Sequence, residues 1–138
     1  MDFRHVNSGY WVLRIAFGLG PLLAGLDKFT NILTQWTKYL NPQALQIVPV
    51  SAATFMHAVG VLEIIVGGLI LLGASRVFGY IAMIWLLCIA GNLISIGYYD
   101  IAVRDILLAC GAFTLAQLTQ AHRAVVMLYD YRESRRAA

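Results

Sequence analysis

Charged residues are scarce in this sequence. Only 12% of its 138 residues are Asp, Glu, Lys or Arg, and 60% are hydrophobic, whereas an average soluble domain is about 25% charged. The net charge of +3 comes from basic residues dispersed around apolar segments. Because no basic stripe lies on a polar face, nucleic-acid binding is not expected. The composition indicates a membrane protein rather than a soluble domain.

Residues that bind metals or carry redox chemistry are also few. The chain has two cysteines and three histidines, with no C-x-x-C, C-x-x-C-H or H-x-x-x-H spacing, so thiol-redox, haem and zinc motifs are lacking. Cys88 and Cys110 are expected to be inert buried thiols. There is no nucleotide-binding glycine pattern, and no A-x-A-like site that would indicate a removable signal peptide. We expect neither a metal nor a covalent cofactor.

Four long apolar runs dominate what is present, at residues 9–29, 53–72, 77–97 and 101–120. Each run approaches the roughly 20 residues that a helix needs to cross a bilayer. Lipid offers no hydrogen bonds, so each run must be helical. The links at residues 74–76 and 98–100 are short, which implies antiparallel neighbours. The sequence therefore predicts an all-α, integral membrane, up-down-up-down four-helix bundle forming a single domain over residues 1–138.

The connection between the first two runs, residues 30–52, is much longer. Apolar and aromatic residues recur there at helical spacing: Ile32, Leu33, Trp36, Tyr39 and Leu40. Trp and Tyr favour the membrane interface. The pattern predicts a short helix lying on the outer surface and ending near Asn41-Pro42, with an irregular capping loop as the alternative.

Basic residues in the connecting segments indicate the orientation. Six lie in the N-terminal segment, the link between the second and third runs, and the C-terminal tail: Arg4, Arg76, Arg123, Arg132, Arg135 and Arg136. Three lie on the opposite side: Lys28, Lys38 and Arg104. Because cytoplasmic segments carry the excess of Lys and Arg, we expect both termini in the cytoplasm. Residues 2–8 would lead into the first helix, and the arginines of the tail, residues 121–138, would contact anionic lipid.

Small residues form stripes along the predicted helices, and such stripes let membrane helices approach closely. One face of the first helix carries Arg14, Gly18, Pro21, Gly25 and Lys28, and a second stripe carries Ala16, Gly20, Ala24 and Asp27. The second helix has Gly60, Glu63 and Gly67 on one face, and the fourth has Asp105, Ala109, Ala112 and Ala116. Glu63 and Asp105 are therefore predicted to point into helix contacts.

Polar residues within the apolar runs are the candidates for ligand binding or proton relay: Arg14, Asp27, Lys28, His57, Glu63, Asn92, Arg104 and Asp105. We predict a deep Arg14–Glu63 pair and an outer group formed by the other six. Adjacent helical residues point about 100° apart, so Arg104 and Asp105 are expected to seek separate partners. Asp105 would reach Lys28, His57 or Asn92, and Arg104 would reach Asp27 or Asp100 or stay free. These charges either fix the helix register only or line a functional site.

Three segments in order carry a resemblance to a known family. LRIAFGLGPLLAGLDKFTN has an early arginine and ends in G-x-D-K-F, FMHAVGVLEIIVGGLILL has a glutamate between glycines, and IWLLCIAGNLISIGYYDIAVRDILLACGAFTLAQL contains the elements N-L, Y-Y-D and R-D. Over about residues 10–118 the chain resembles the DoxX family. The resemblance implies a four-helix membrane protein, linked in some members to quinone-coupled sulfur oxidation or to redox-stress complexes.

From the resemblance we expect a DoxX-type subunit of a redox assembly in the bacterial inner membrane, with membrane lipids and other membrane or redox subunits as partners. A bound quinone or lipid would be its ligand. Quinone carbonyls need donors beside an apolar slot, and the candidates are Lys28, His57, Asn92 and Arg104, with Glu63 or Asp105 relaying a proton. Two alternatives stay open: a non-catalytic accessory subunit that docks a larger complex, and a small transporter or lipid-binding protein.

Overall fold

The computed structural model describes residues 3–137 of the chain, and the side chains of residues 5–136. All regular secondary structure in that part is helical. Four helices are long and apolar enough to cross a membrane, which confirms the predicted all-α bundle. In chain order the elements are α1 (Phe3–Thr30), a 3-10 turn (Trp36–Tyr39), α2 (Ala44–Ile47), α3 (Ala52–Leu71), α4 (Ser75–Ser95) and α5 (Tyr99–Ala137).

The first and last helices extend beyond the apolar runs. Helix α1 begins at Phe3 rather than near Gly9, and α5 has 39 residues, which corresponds to about 58 Å against a hydrocarbon core of about 30 Å. The predicted C-terminal tail is therefore a continuation of α5, as far as that segment is described. Asp2 and Ala138, at the outer ends of the predicted lead and tail, lie outside the described residues.

Glycines at positive φ make the two tight turns between helices. Gly73 (φ 107°) follows α3 and Gly97 (φ 84°) follows α4, a conformation that costs glycine little. After α3, the Gly73 N–H donates to the Ile70 carbonyl and the Ala74 N–H donates to the Leu69 carbonyl, which is the Schellman arrangement. Gly97 and Tyr98 bond to the end of α4 in the same way. These turns make α4 run antiparallel to both α3 and α5.

The bundle consists of two closely packed helix pairs. Helices α1 and α3 form one pair, α4 and α5 form the other, and α5 closes the ring by contacting α1. The first turn of α1, the last turn of α5 and the α3–α4 turn lie at one end of the bundle, which we call the termini end. The opposite end carries residues 31–51, which connect α1 to α3, and we call it the loop end.

Glycines set the register of the α1–α3 pair. A side-chain carbon on Gly25 would lie 2.5 Å from the Gly60 carbonyl oxygen, and one on Gly67 would overlap the Gly18 carbonyl oxygen. Gly60, Glu63 and Gly67 are all buried in α3, as their shared face predicted. Gly25 therefore lies opposite Gly60, and Gly18 lies opposite Gly67.

Alanines play the same role in the α4–α5 pair. Ala109, Ala112 and Ala116 of α5 are at most 2% exposed, and Asp105 on the same face is 6% exposed, so this predicted face is confirmed. A side-chain carbon on Gly79 would lie 3.1 Å from the Ala112 carbonyl oxygen. Large apolar side chains on the outer sides of the helices are exposed, as expected for surfaces that contact lipid.

The connection between α1 and α3 differs from its prediction. Instead of one interfacial helix ending near Asn41-Pro42, it forms a four-residue 3-10 turn, Trp36–Tyr39, and a single-turn helix, Ala44–Ile47. Leu40 is buried, and the ring of Tyr39 packs edge-on against that of Tyr98 at 5.2 Å. Tyr39 and Leu40 therefore turn inward onto the bundle, whereas Ile32 and Leu33 are exposed, so the apolar residues of this segment do not share one face of a surface helix.

Candidate functional site

A cavity of about 850 Å³ separates the two helix pairs towards the loop end. Contacts between the pairs occur nearer the termini end, where Tyr10 stacks on His122 at 4.3 Å and Phe17 packs against Gly111. The cavity extends under the connection between α1 and α3, since Leu33, Trp36, Tyr39, Leu40 and Ala44 contribute to its wall. Its polar lining includes Lys28, Glu63, Asn92, Arg104 and Asp105.

The second small-residue stripe of α1 lines this cavity instead of packing against a helix. Ala16, Gly20 and Ala24 are all part of its wall, and a side-chain carbon on Gly20 would meet no atom within 4 Å. Ala16 and Gly20 are exposed, so the cavity is accessible from the side of the bundle. The prediction that this stripe mediates a close helix contact was wrong, because only one face of α1 can point at α3.

A buried ion pair lies on the wall of the cavity. The Lys28 ammonium nitrogen lies 2.5 Å from Oε2 of Glu63, and the two side chains are 4% and 8% exposed. The Trp36 ring covers the ammonium group, with 3.7 Å from the nitrogen to the ring centroid, and this cation–π contact adds to the pairing. The buried Trp85 indole N–H faces the Glu63 carboxylate without forming a hydrogen bond to any described residue.

Arg14 is not the partner of Glu63, which corrects the predicted deep pair. The glycine register places Arg14 level with Leu71, eight residues along α3 from Glu63, or about 12 Å. Its guanidinium group instead donates to the carbonyl oxygens of Ile70 (3.1 Å) and Leu71 (2.6 Å) and to the Tyr10 hydroxyl (3.1 Å). Arg14 thus satisfies carbonyls at the C-terminus of α3, where cations are favoured.

Arg104 and Asp105 contact each other, contrary to the prediction that each finds a separate partner. The Arg104 Nε lies 3.4 Å from Asp105 Oδ1, with side-chain exposures of 66% and 8%. The Cβ atoms of adjacent helical residues do point about 100° apart. The arginine side chain is long enough to bend back towards Asp105 despite this angle. Asp105 therefore does not reach Lys28, His57 or Asn92, and Arg104 is not bonded to Asp27 or Asp100.

Asp27 fixes the start of the segment that covers the cavity. Its carboxylate accepts hydrogen bonds from the Trp36 indole N–H (2.8 Å), the Ile32 N–H (2.9 Å) and the Leu33 N–H (3.1 Å). These bonds hold the chain where it leaves α1 and orient Trp36 over Lys28. Asp27 thus lies at the loop end with the other residues of the predicted outer group. Its carboxylate holds the connecting segment.

Asn92 of α4 fixes the other end of the same segment. Its Nδ2 donates to the Tyr39 carbonyl (2.5 Å), and its Oδ1 accepts from the Asn41 N–H (3.0 Å). Next to this contact, Lys38 lowers the pKa of the Tyr39 phenol below its ordinary value. Since Asp27 belongs to one helix pair and Asn92 to the other, residues 31–41 bridge the two pairs across the cavity.

His57 does not join the group of charges. Its ring stacks on that of Phe29, with 4.8 Å between centroids, the residue is exposed, and the residues that line the cavity do not include it. Of the eight candidates, the structure brings Lys28, Glu63, Asn92, Arg104 and Asp105 to one cavity. Asp27 lies directly behind it, while Arg14 and His57 lie elsewhere.

Three residues of the cavity were missed as site residues. Trp36 was assigned only to the interface, Cys88 was expected to be an inert buried thiol, and Trp85 was given no role, although all three line the cavity. Both cysteines are exposed rather than buried, which corrects their expected environment. Two of the three missed residues could have been found from the sequence. Trp85 and Cys88 lie one to two turns before Asn92 in the same apolar run, so helical periodicity places them close to the helix face that carries Asn92.

Comparison with known proteins identifies no relative. No protein-family model, curated protein or solved structure matches this chain. The resemblance to the DoxX family therefore stays a prediction. Among the residues that the structure describes, no group of three or more His, Cys, Asp or Glu side chains is placed to hold a metal ion.

Proposed function

We propose that this protein is a DoxX-type membrane subunit of a redox assembly in the bacterial inner membrane, and that its cavity binds the head group of a quinone. The observation that carries the proposal is the cavity itself, with mostly apolar walls and a few buried polar groups at one level. Its volume of about 850 Å³ lies within the ordinary range of ligand pockets, about 300–1,000 Å³.

The charges that line the cavity favour a neutral head group. Lys28 is paired with Glu63, and Arg104 with Asp105, so the four charges sum to zero. A ligand with a net charge would leave one charge uncompensated in an apolar surrounding, which is costly. A quinone is neutral and presents carbonyl oxygens that accept hydrogen bonds. Arg104, which has unused guanidinium N–H groups, and the Trp85 indole are the donors we assign to them.

A redox role requires groups that this chain does not contribute. Reduction of a quinone to a quinol takes two electrons and two protons. We assign the electrons to a redox centre on a partner subunit, since the sequence has no redox cofactor motif. We assign the transfer of protons to Glu63 and Asp105, the carboxylates that line the cavity. Under this proposal the protein holds and protonates the quinone while its partner reduces it.

A native cysteine offers a direct test of quinone binding. Cys88 lines the cavity and Cys110 does not, although both are exposed. We expect a short-chain ubiquinone analogue to slow the reaction of Cys88 with N-ethylmaleimide several-fold in the purified protein and to leave the rate at Cys110 unchanged. Peptide mass spectrometry reads both sites in one sample, so Cys110 is an internal control.

Two further arms make the labelling test specific. An alkyl alcohol of the same chain length should protect Cys88 poorly, because it lacks the carbonyl acceptors. Arg104→Gln should shift protection to higher quinone concentrations, whereas His57→Gln, outside the cavity, should not. Equal protection by the alcohol, or none by the quinone, would contradict the proposed ligand.

The proposed orientation has both termini in the cytoplasm, supported by the distribution of Lys and Arg over the two sides. In a Cys88→Ser, Cys110→Ser background, we expect a membrane-impermeant maleimide to label Lys38→Cys in intact cells. Ser134→Cys should react only after lysis. Labelling of Ser134→Cys from outside would reverse the orientation.

A docking role is the second candidate, and the termini end of α5 favours it. This helix continues well beyond the length that crosses a bilayer, and Met127, Leu128, Tyr129 and Tyr131 are exposed on it. Exposed apolar side chains outside the membrane region are typical of protein contacts. Docking and quinone binding are compatible, because they use opposite ends of the bundle.

A further inference from the structure

Three arginines gather around the α3–α4 turn at the termini end. Arg14 donates to the carbonyls of Ile70 and Leu71, and Arg123 of α5 donates to the Gly73 carbonyl at 3.1 Å. Arg76 lies in the first turn of α4, directly after this turn, and is exposed. The hydrogen bonds fix two of the three guanidinium groups against one short stretch of backbone.

No carboxylate of the described residues forms an ion pair with this arginine cluster. The ion pairs among the described residues are Lys28–Glu63, Arg104–Asp105 and Arg136–Glu133, and none includes the three arginines. Asp27, Glu63, Asp100 and Asp105 lie towards the loop end. Asp130 is seven residues beyond Arg123 on α5, a rise of about 10 Å. Within the described part of the chain, the turn therefore carries positive charge that no carboxylate pairs with.

The backbone and the neighbouring side chains at this turn suit a lipid phosphate. The N–H groups of the exposed residues Arg76 and Val77, in the first turn of α4, have no partner within the helix, and such a helix N-terminus favours anions. Apolar side chains beside the cluster are exposed, Leu72 at 82% and Val77 at 59%. A phospholipid would place its phosphate among the guanidinium groups and its acyl chains along these residues.

We propose that Arg76, Arg123 and Arg14 form a binding site for the phosphate of an anionic phospholipid at the α3–α4 turn. The site is separate from the cavity and does not depend on the function proposed for it. It also differs from general attraction by the arginines of the α5 extension, because it is built around a fixed turn.

Native mass spectrometry of the purified protein tests the site. We expect the wild-type protein to retain a phosphatidylglycerol molecule in preference to phosphatidylcholine when both are supplied in equal amounts. Arg76→Gln combined with Arg123→Gln should abolish this preference. Arg132→Gln combined with Arg135→Gln removes the same charge from the α5 extension and should preserve it. Arg14 is left intact, because it also holds the end of α3.

The remaining arms separate the alternatives. Inorganic phosphate should not displace the lipid at equal concentration; displacement would show a site for free phosphate and overturn the assignment to lipid. Loss of the preference in the Arg132/Arg135 variant alone would place lipid binding on the extension. The wild-type comparison of the two lipids needs no variant, so it tests the proposal even if the Arg76/Arg123 variant misfolds, and no preference there contradicts it.

Discussion

Replacing Gly67 with alanine is expected to destabilise the bundle strongly, whereas the same change at the adjacent Gly68 should leave its stability unchanged or raise it slightly. A side-chain carbon on Gly67 would overlap the Gly18 carbonyl oxygen and lie 2.8 Å from the Leu22 backbone nitrogen, while one on Gly68 would meet nothing within 4 Å. Backbone atoms cannot yield without separating α1 from α3. Overpacking of this kind typically costs about 1–3 kcal/mol, and alanine gains up to about 1 kcal/mol over glycine in helix propensity.

Equilibrium unfolding in mixed micelles, followed by circular dichroism, measures both variants under the same conditions. Gly25 and Gly20 of α1 provide a second matched pair of alanine variants. Gly25→Ala, which would bring a carbon within 2.5 Å of the Gly60 carbonyl oxygen, should behave like Gly67→Ala, and Gly20→Ala should behave like Gly68→Ala. If all four variants were equally stable, the close α1–α3 register described above would be wrong.

The glycine contacts also explain how much of the fold was predictable from the sequence. Apolar runs specified the four spans, and stripes of small residues specified which faces of α3 and α5 are buried. The ends of α1 and α5 were not predicted, because hydropathy falls at residues such as Asn7 and Arg123 while helical backbone continues through them. Alanine, arginine and leucine in the last part of α5 all favour a helix, so the change from apolar to polar marks no helix end.

The candidate site was predicted only in part, for a physical reason. The predicted pair assumes that the centres of the apolar runs lie at the same depth, which would bring Arg14 near Glu63. The actual relative depth follows from Gly25 opposite Gly60, and that register places Lys28 about two turns from Glu63, within reach of a lysine that extends along the helix. Periodicity also cannot reveal hydrogen bonds from Asp27 or Asn92 to the backbone of a connecting segment.

The largest expected coupling in the molecule is between Lys28 and Glu63. Their charged atoms lie 2.5 Å apart, and both side chains are buried. Removing one partner of such a pair leaves an uncompensated charge in an apolar surrounding and typically costs about 3–5 kcal/mol. We therefore expect Lys28→Met and Glu63→Gln each to destabilise the protein strongly. The double variant, which removes both charges, should be clearly more stable than the sum of the two effects implies.

The matched control for this cycle is Arg14→Met combined with Glu63→Gln. Arg14→Met should be destabilising by itself, because the Ile70 and Leu71 carbonyls lose their donor. Its effect should add to that of Glu63→Gln within about 0.5 kcal/mol, since the two side chains share no partner. Unfolding free energies of the six proteins (wild type, three single and two double variants) give both couplings. A larger coupling of Glu63 to Arg14 than to Lys28 would restore the predicted Arg14–Glu63 pair and refute the α1–α3 register. A larger coupling to Lys28 would show that the glycine contacts between α1 and α3, and not the centres of the apolar runs, decide which buried charges meet.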